Sequence, residues 1–119
     1  MANLTLVPLS GSTDFKGILV TGTTATDGTT IHTAATGQTA AGQGDQLVLY
    51  AFNSATQVQT LTLTWGGTTS PNDHIKFLLP TDGMVPLVAG MMIRNGLTIR
   101  AGATTASAVA IHGYVTRAT

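Results

Sequence analysis

The sequence predicts an all-β protein: a single β-sandwich or jelly-roll domain with short strands and long threonine- and glycine-rich loops. Three observations predict it. Apolar and polar residues alternate in several separate stretches, the period-2 pattern of a half-buried strand. Glutamate is absent, and glycine or threonine interrupts every window in which leucine might build a helical face. Turn chemistry separates the alternating stretches.

Taken in order, the first twenty residues hold Leu4, Leu6, Val7, Leu9, Phe15, Ile18, Leu19 and Val20. That is too apolar for a free tail. Residues 1–28 therefore read as an N-terminal arm or a first strand, and residues 29–119 as the sandwich. The arm reading makes Leu4, Leu6, Val7, Leu9 and Phe15 candidates for contact with a neighbouring subunit, because exposed apolar patches mark interfaces. "TTIHTAA" (29–35) reads as a strand with Ile31 buried and Thr30 and His32 outward. Its flanks, "TGTTATDG" and "TGQTAAGQG", read as surface loops.

"QLVLYAFNS" (46–54) is a β-rich run expected to be buried on both faces. In "VQTLTLTW" (58–65), Leu61, Leu63 and Trp65 point one way and Thr60, Thr62 and Thr64 the other, which makes Trp65 a core residue. "HIKFLL" (74–79) sets Ile75, Phe77 and Leu79 inward. "LTIRA" (97–101) sets Leu97, Ile99 and Ala101 inward. "AVAIHGYV" (108–115) sets Val109, Ile111, Gly113 and Val115 on one face, and Ala110, His112 and Tyr114 on the other.

Between them, "GGTTSPND" (66–73) is a loop, and "PTDG" (80–83) suits a type I turn. "RNGL" (94–97) is a strong hairpin signal, Asn-Gly in a type I′ turn. It would pair Met92 with Ile99 and Arg94 with Leu97.

Composition narrows the function. At 119 residues the chain has the size of one domain and can bury one core. Hydrophobic residues are 43% and charged residues 8%, against about 25% charged in an average globular protein. The formal net charge is zero. Disorder usually needs low hydrophobicity and high net charge, and a surface near zero net charge tends to associate. The three arginines and two lysines are scattered, so no basic footprint for nucleic acid exists. Cysteine is absent, which excludes disulfides and thiolate metal sites. The N-terminus lacks the basic and long apolar regions of a secretory signal. No apolar run approaches the roughly 20 residues of a membrane span. A soluble protein made in a cytoplasm is expected, with no membrane partner.

Catalytic chemistry finds little support. His32, His74 and His112 are far apart in sequence, without the short spacing of a local metal site; strand histidines more simply cap or edge a sheet. Asp14, Asp27, Asp45, Asp73 and Asp82 all lie beside small or polar residues, where aspartate accepts backbone hydrogen bonds in turns. There is no calcium loop, no nucleophile elbow and no phosphate loop. Asn3-Leu4-Thr5 matches a glycosylation acceptor, as chance tripeptides do. No catalytic, cofactor-binding or metal residue is assigned, and no cofactor is expected.

"IHTA" (31–34), "LYAFNS" (49–54), "LTLTWGGTTSPNDHI" (61–75) and "IHGYVTR" (111–117) together resemble a group of small structural proteins of tailed bacteriophages. An "IHTA"-like start, a strand ending in asparagine, an "LTIEWGG"-like strand and an "IHG-[FY]-V-x-R" end recur there in this order. The resemblance spans residues 29–117 and leaves out the first twenty-eight. It implies a virion component located on the capsid surface and carries no catalytic residue with it. The expected function is that of a non-enzymatic head-decoration (cement) protein. Such a protein binds the major capsid lattice and works as a homo-oligomer, a trimer. The alternative is a head-fibre or tail-tip component that binds a carbohydrate or receptor. Its aromatic candidates are Phe15, Phe52 and Tyr114.

Overall fold

Alternating threonine, leucine and valine make extended segments, and the glycine-rich stretches between them end each one. The computed structural model describes residues 4–24 and 28–119. Among these it forms nine strands and no helix. They are β1 (Leu4–Val7), β2 (Ile18–Val20), β3 (Thr29–Thr33), β4 (Gly44–Asn53), β5 (Gln59–Trp65), β6 (His74–Leu79), β7 (Met84–Ile93), β8 (Thr98–Ala103) and β9 (Val109–Ala118). Asp27 and Asn3 lie outside the described residues.

Two antiparallel sheets result. One runs β1–β9–β4–β7, with β2 also on β9; the other runs β3–β8–β5–β6. Pairing is nested: β2 with β9, β3 with β8, β4 with β7, β5 with β6. A long hairpin folded over on itself pairs in this way, and rolling it into two layers makes a jelly roll. Contacts of β4 with β9 and of β5 with β8 complete the two sheets. The all-β expectation holds, in its jelly-roll form.

The core lies between the sheets. Leu47, Leu49 and Ala51 of β4 and Val109, Ile111 and Val115 of β9 face Leu61, Leu63, Leu79, Ile99 and Ala101 of the other layer. Each large aliphatic side chain buried there contributes about 1.5–3 kcal/mol. The first residues join this core. β1 and β2 line one edge of β9, and Leu9, Ile18 and Val20 are buried with the rest.

Several local expectations are corrected. β4 is buried on one face only, with Gln46, Tyr50 and Phe52 exposed. Pro80–Gly83 is not a type I turn: Asp82 has φ +53, and the segment carries the chain from β6 in one sheet to β7 in the other. Asn95 and Gly96 do have the positive φ values, 58 and 77, that a type I′ turn needs. Leu97 N–H also reaches the Arg94 carbonyl, at 3.4 Å. Yet this turn is a corner between sheets. Met92 opposes Gln46, and Ile99 opposes Trp65 and His32. The flanking strands have longer partners elsewhere, β7 on β4 and β8 on both β3 and β5, so local turn chemistry does not decide the pairing. Leu97, expected inward, sits at that corner 49% exposed. β7 itself carries Pro86 and a register shift near Gly90, marks of an edge strand that obscure its alternation.

Candidate functional site

Two features of this fold are candidates for function: a buried polar cluster and an uncharged outer sheet face. The cluster begins with a β-bulge. The register of β3 against β8 shifts between Thr30 and His32, so both Ile31 and His32 turn inward. This corrects the outward placement of His32, since a bulge breaks the period-2 rule on which it rested. His32 Nε2 donates to Asp45 Oδ2 at 2.7 Å, and Ser10 N–H donates to His32 Nδ1 at 3.0 Å. With Nδ1 accepting, the ring is neutral and its proton sits on Nε2.

Asp45 is likewise not a turn residue. It opens β4, fully buried, and directly opposes Arg117 on β9. Arg117 Nε and Nη2 reach its two oxygens, each at 2.9 Å. Gln38 Nε2 adds a bond to Oδ1 at 2.8 Å. The carboxylate therefore accepts four hydrogen bonds, two on each oxygen. Burial alone would raise its pKa, but the bonds from Arg117, His32 and Gln38 outweigh burial and hold it at about 2. Burial pushes His32 below its ordinary value, with the Asp45 bond opposing. Arg117 is held above its usual range by the Asp45 bond.

Ser10, His32 and Asp45 thus lie together without forming a nucleophilic triad. The serine presents its backbone N–H to the ring, and its Oγ accepts from Thr33 N–H at 2.6 Å. Both ring nitrogens are engaged and the histidine is buried, so this histidine has no free base to offer a substrate. The cluster is a lock: it joins the segment after β1, β3, the 36–43 loop, β4 and β9. Gln38 extends it to the corner turn through a bond from Asn95 N–H at 3.3 Å.

The outer face of the β1–β9–β4–β7 sheet has the opposite character. Opposed residues share a face, so the register gives its rows. Leu19, Ala110, Phe52 and Met84 form one row across four strands. His112, Tyr50 and Pro86 form the next, then Tyr114, Val48 and Ala89. Leu6 of β1 opposes Thr116 at the far end. The only aspartate and arginine in these strands, Asp45 and Arg117, face inward to each other. Apart from His112, the strands of this sheet turn no acidic or basic side chain to this face. The outer side of the other sheet carries Thr30, Arg100, Thr64 and His74 in one row, and Gly102, Thr62 and Lys76 in the next, with Thr64 and Gly102 buried beneath their neighbours. That face is threonine-rich and cationic, and the Thr21–Thr24 stretch packs over it at Gly102.

The residues proposed from sequence as contacts separate accordingly. Leu4 and Leu6 are exposed, at 73% and 63%, and Phe15 is exposed in the segment before β2. Val7 is half-buried against the core, and Leu9 is inside it at 1% exposure. Phe52 and Tyr114 lie on the apolar face, and Phe15 lies in the segment before β2, where Gly17 packs against the His112 ring. His74 Nε2 bonds the Thr68 carbonyl at 3.0 Å. No cluster of three metal-ligating side chains occurs among the described residues. Tyr50, Met84 and the lock residues Gln38 and Arg117 were not singled out from sequence. Arg117 was legible, since the inward alternation from Val109 continues through Val115 to it.

No family model, no curated protein and no solved structure matches this chain.

Proposed function

We propose that this protein is a non-enzymatic structural protein of a tailed-bacteriophage virion, a head-decoration protein that binds the major capsid lattice as a homo-oligomer. The observation that carries the reading is the uncharged apolar outer face built around Tyr50, Phe52, Met84 and Tyr114. Contiguous apolar surface of this kind marks a protein interface. The contrast with the opposite face supports a slab that turns one side to a shell and the threonine-rich, cationic side to water. The sequence resemblance supports the virion assignment.

Cryo-electron microscopy of the particle encoded with this chain tests it. The expected result is density on the head, with the β1–β9–β4–β7 sheet against the shell. Density at the tail tip or on head fibres supports the receptor-binding alternative. Absence from the particle overturns both. A solution test accompanies it: Phe52→Asp with Tyr114→Asp should abolish binding to undecorated heads while the fold survives.

A further inference from the structure

We propose that a cleft at one end of the sandwich binds a small amphiphilic monocarboxylate, an apolar body carrying one carboxylate. The cleft encloses about 300 Å³, at the low end of ligand sites, which span roughly 300–1,000 Å³. Its apolar walls are Trp65, Met92, Ile93 and Leu97. Trp65 ends β5 in one sheet, and its indole N–H donates at 3.0 Å to the carbonyl of Met92 on β7 in the other. That bond fixes the ring, so it forms a wall without swinging in to fill the space. Glycines at 44 and 66 keep the cleft open. A Cβ on Gly66 would lie 3.4 Å from Leu97 Cδ1, and one on Gly44 only 2.7 Å from Met92 Cε.

The mouth of the cleft holds Arg94 and Gln43. Arg94 Nη1 donates to the Ala40 carbonyl at 3.1 Å. Among the described residues its guanidinium meets no carboxylate: Asp45 pairs with Arg117 and with the neutral His32 ring instead. The Gln43 amide oxygen accepts from Ala40 N–H at 3.0 Å, which leaves its NH₂ as a second donor. The mouth therefore offers donors and one positive charge, without an acid. Charge complementarity selects an anion there, and the planar guanidinium fork matches a carboxylate. The apolar walls select the rest of the ligand. This site uses neither Phe52 nor Tyr114 and stands apart from the lattice reading.

Trp65 is the sole tryptophan, so its emission and its single indole N–H resonance report on the cleft directly. The probe is octanoate, with octan-1-ol and octylammonium as controls. Octanoate should change both signals saturably, with a dissociation constant on the order of millimolar or tighter. Octan-1-ol and octylammonium should bind at least about tenfold more weakly. Arg94→Gln should weaken octanoate about tenfold, while octan-1-ol binding and the melting temperature stay unchanged. Absence of a saturable response to octanoate overturns the proposal. Equal binding of octanoate and octan-1-ol, or indifference of octanoate to Arg94→Gln, does so as well.

Discussion

Asp45 and Arg117, 72 residues apart in the chain, oppose each other on neighbouring strands and meet through two parallel hydrogen bonds of 2.9 Å. The carboxylate is fully buried and the arginine half-buried, with 27% of its side chain exposed. A buried pair of this kind punishes the loss of one partner more than the loss of both, because a lone charge stays desolvated.

Asp45→Asn should therefore destabilise the domain by about 3–5 kcal/mol. Adding Arg117→Met to that variant should restore part of the loss. Urea unfolding of the two variants checks this. If Asp45→Asn unfolds with the wild type, or if the double variant is the weaker of the two, the lock does not hold the fold.

Acid should unfold the protein in two stages. Asp45 has a folded pKa of about 2, below the ordinary aspartate value of 3.8. The stability it supplies is complete above the unfolded value and is lost as pH falls from there towards 2. His32 also lies below the ordinary histidine value of 6.5, because burial disfavours the imidazolium. Only the unfolded state gains that proton as pH drops below 6.5, so this contribution begins to decline first. Urea midpoints should start to fall just below neutrality in the wild type, and His32→Gln should flatten that first stage. A wild-type midpoint constant between about pH 7 and 5 contradicts the buried neutral histidine.

The first residues should divide sharply at Pro8. Leu9→Ala removes a core side chain and should cost about 2–5 kcal/mol. Leu6→Ala, on an exposed position, should stay within about 0.5 kcal/mol. Deleting residues 1–7 should leave a folded domain. Deleting residues 1–12 should lower the melting temperature much further, because it also removes Leu9, the Ser10 N–H bond to His32 and the Gly11 N–H bond to the Ile31 carbonyl. Equal effects of the two deletions would place the anchor elsewhere.

Trp65 is half-buried, not enclosed. As the last residue of β5 it closes the end of the sandwich and satisfies its N–H on Met92. Its emission should lie between that of a core indole and a solvated one. Trp65→Phe should cost about 1–2 kcal/mol from the lost hydrogen bond and ring area. A fully red-shifted native spectrum would show that the ring does not occupy the cleft wall.

Period-2 alternation, together with glycine punctuation, determined by itself that the chain is all-β and which residues of β5, β6 and β9 face inward. A strand's side-chain direction is a local property, so Leu61, Leu63, Ile111 and Val115 were legible without knowing their partners. What a strand pairs with is not local. The Asn95-Gly96 dipeptide specified a type I′ turn, but only the competition of β4, β3 and β5 for the flanking strands made it a corner between sheets. The same holds for the lock. Asp45 read as a turn aspartate because its neighbours in sequence are small and polar, and His32 as an outward strand residue because alternation assigns it there. A bulge reversed the histidine, and register brought Arg117 across from the last strand. A buried carboxylate needs donors from wherever the fold can supply them, and only the tertiary structure decides which distant residues those are.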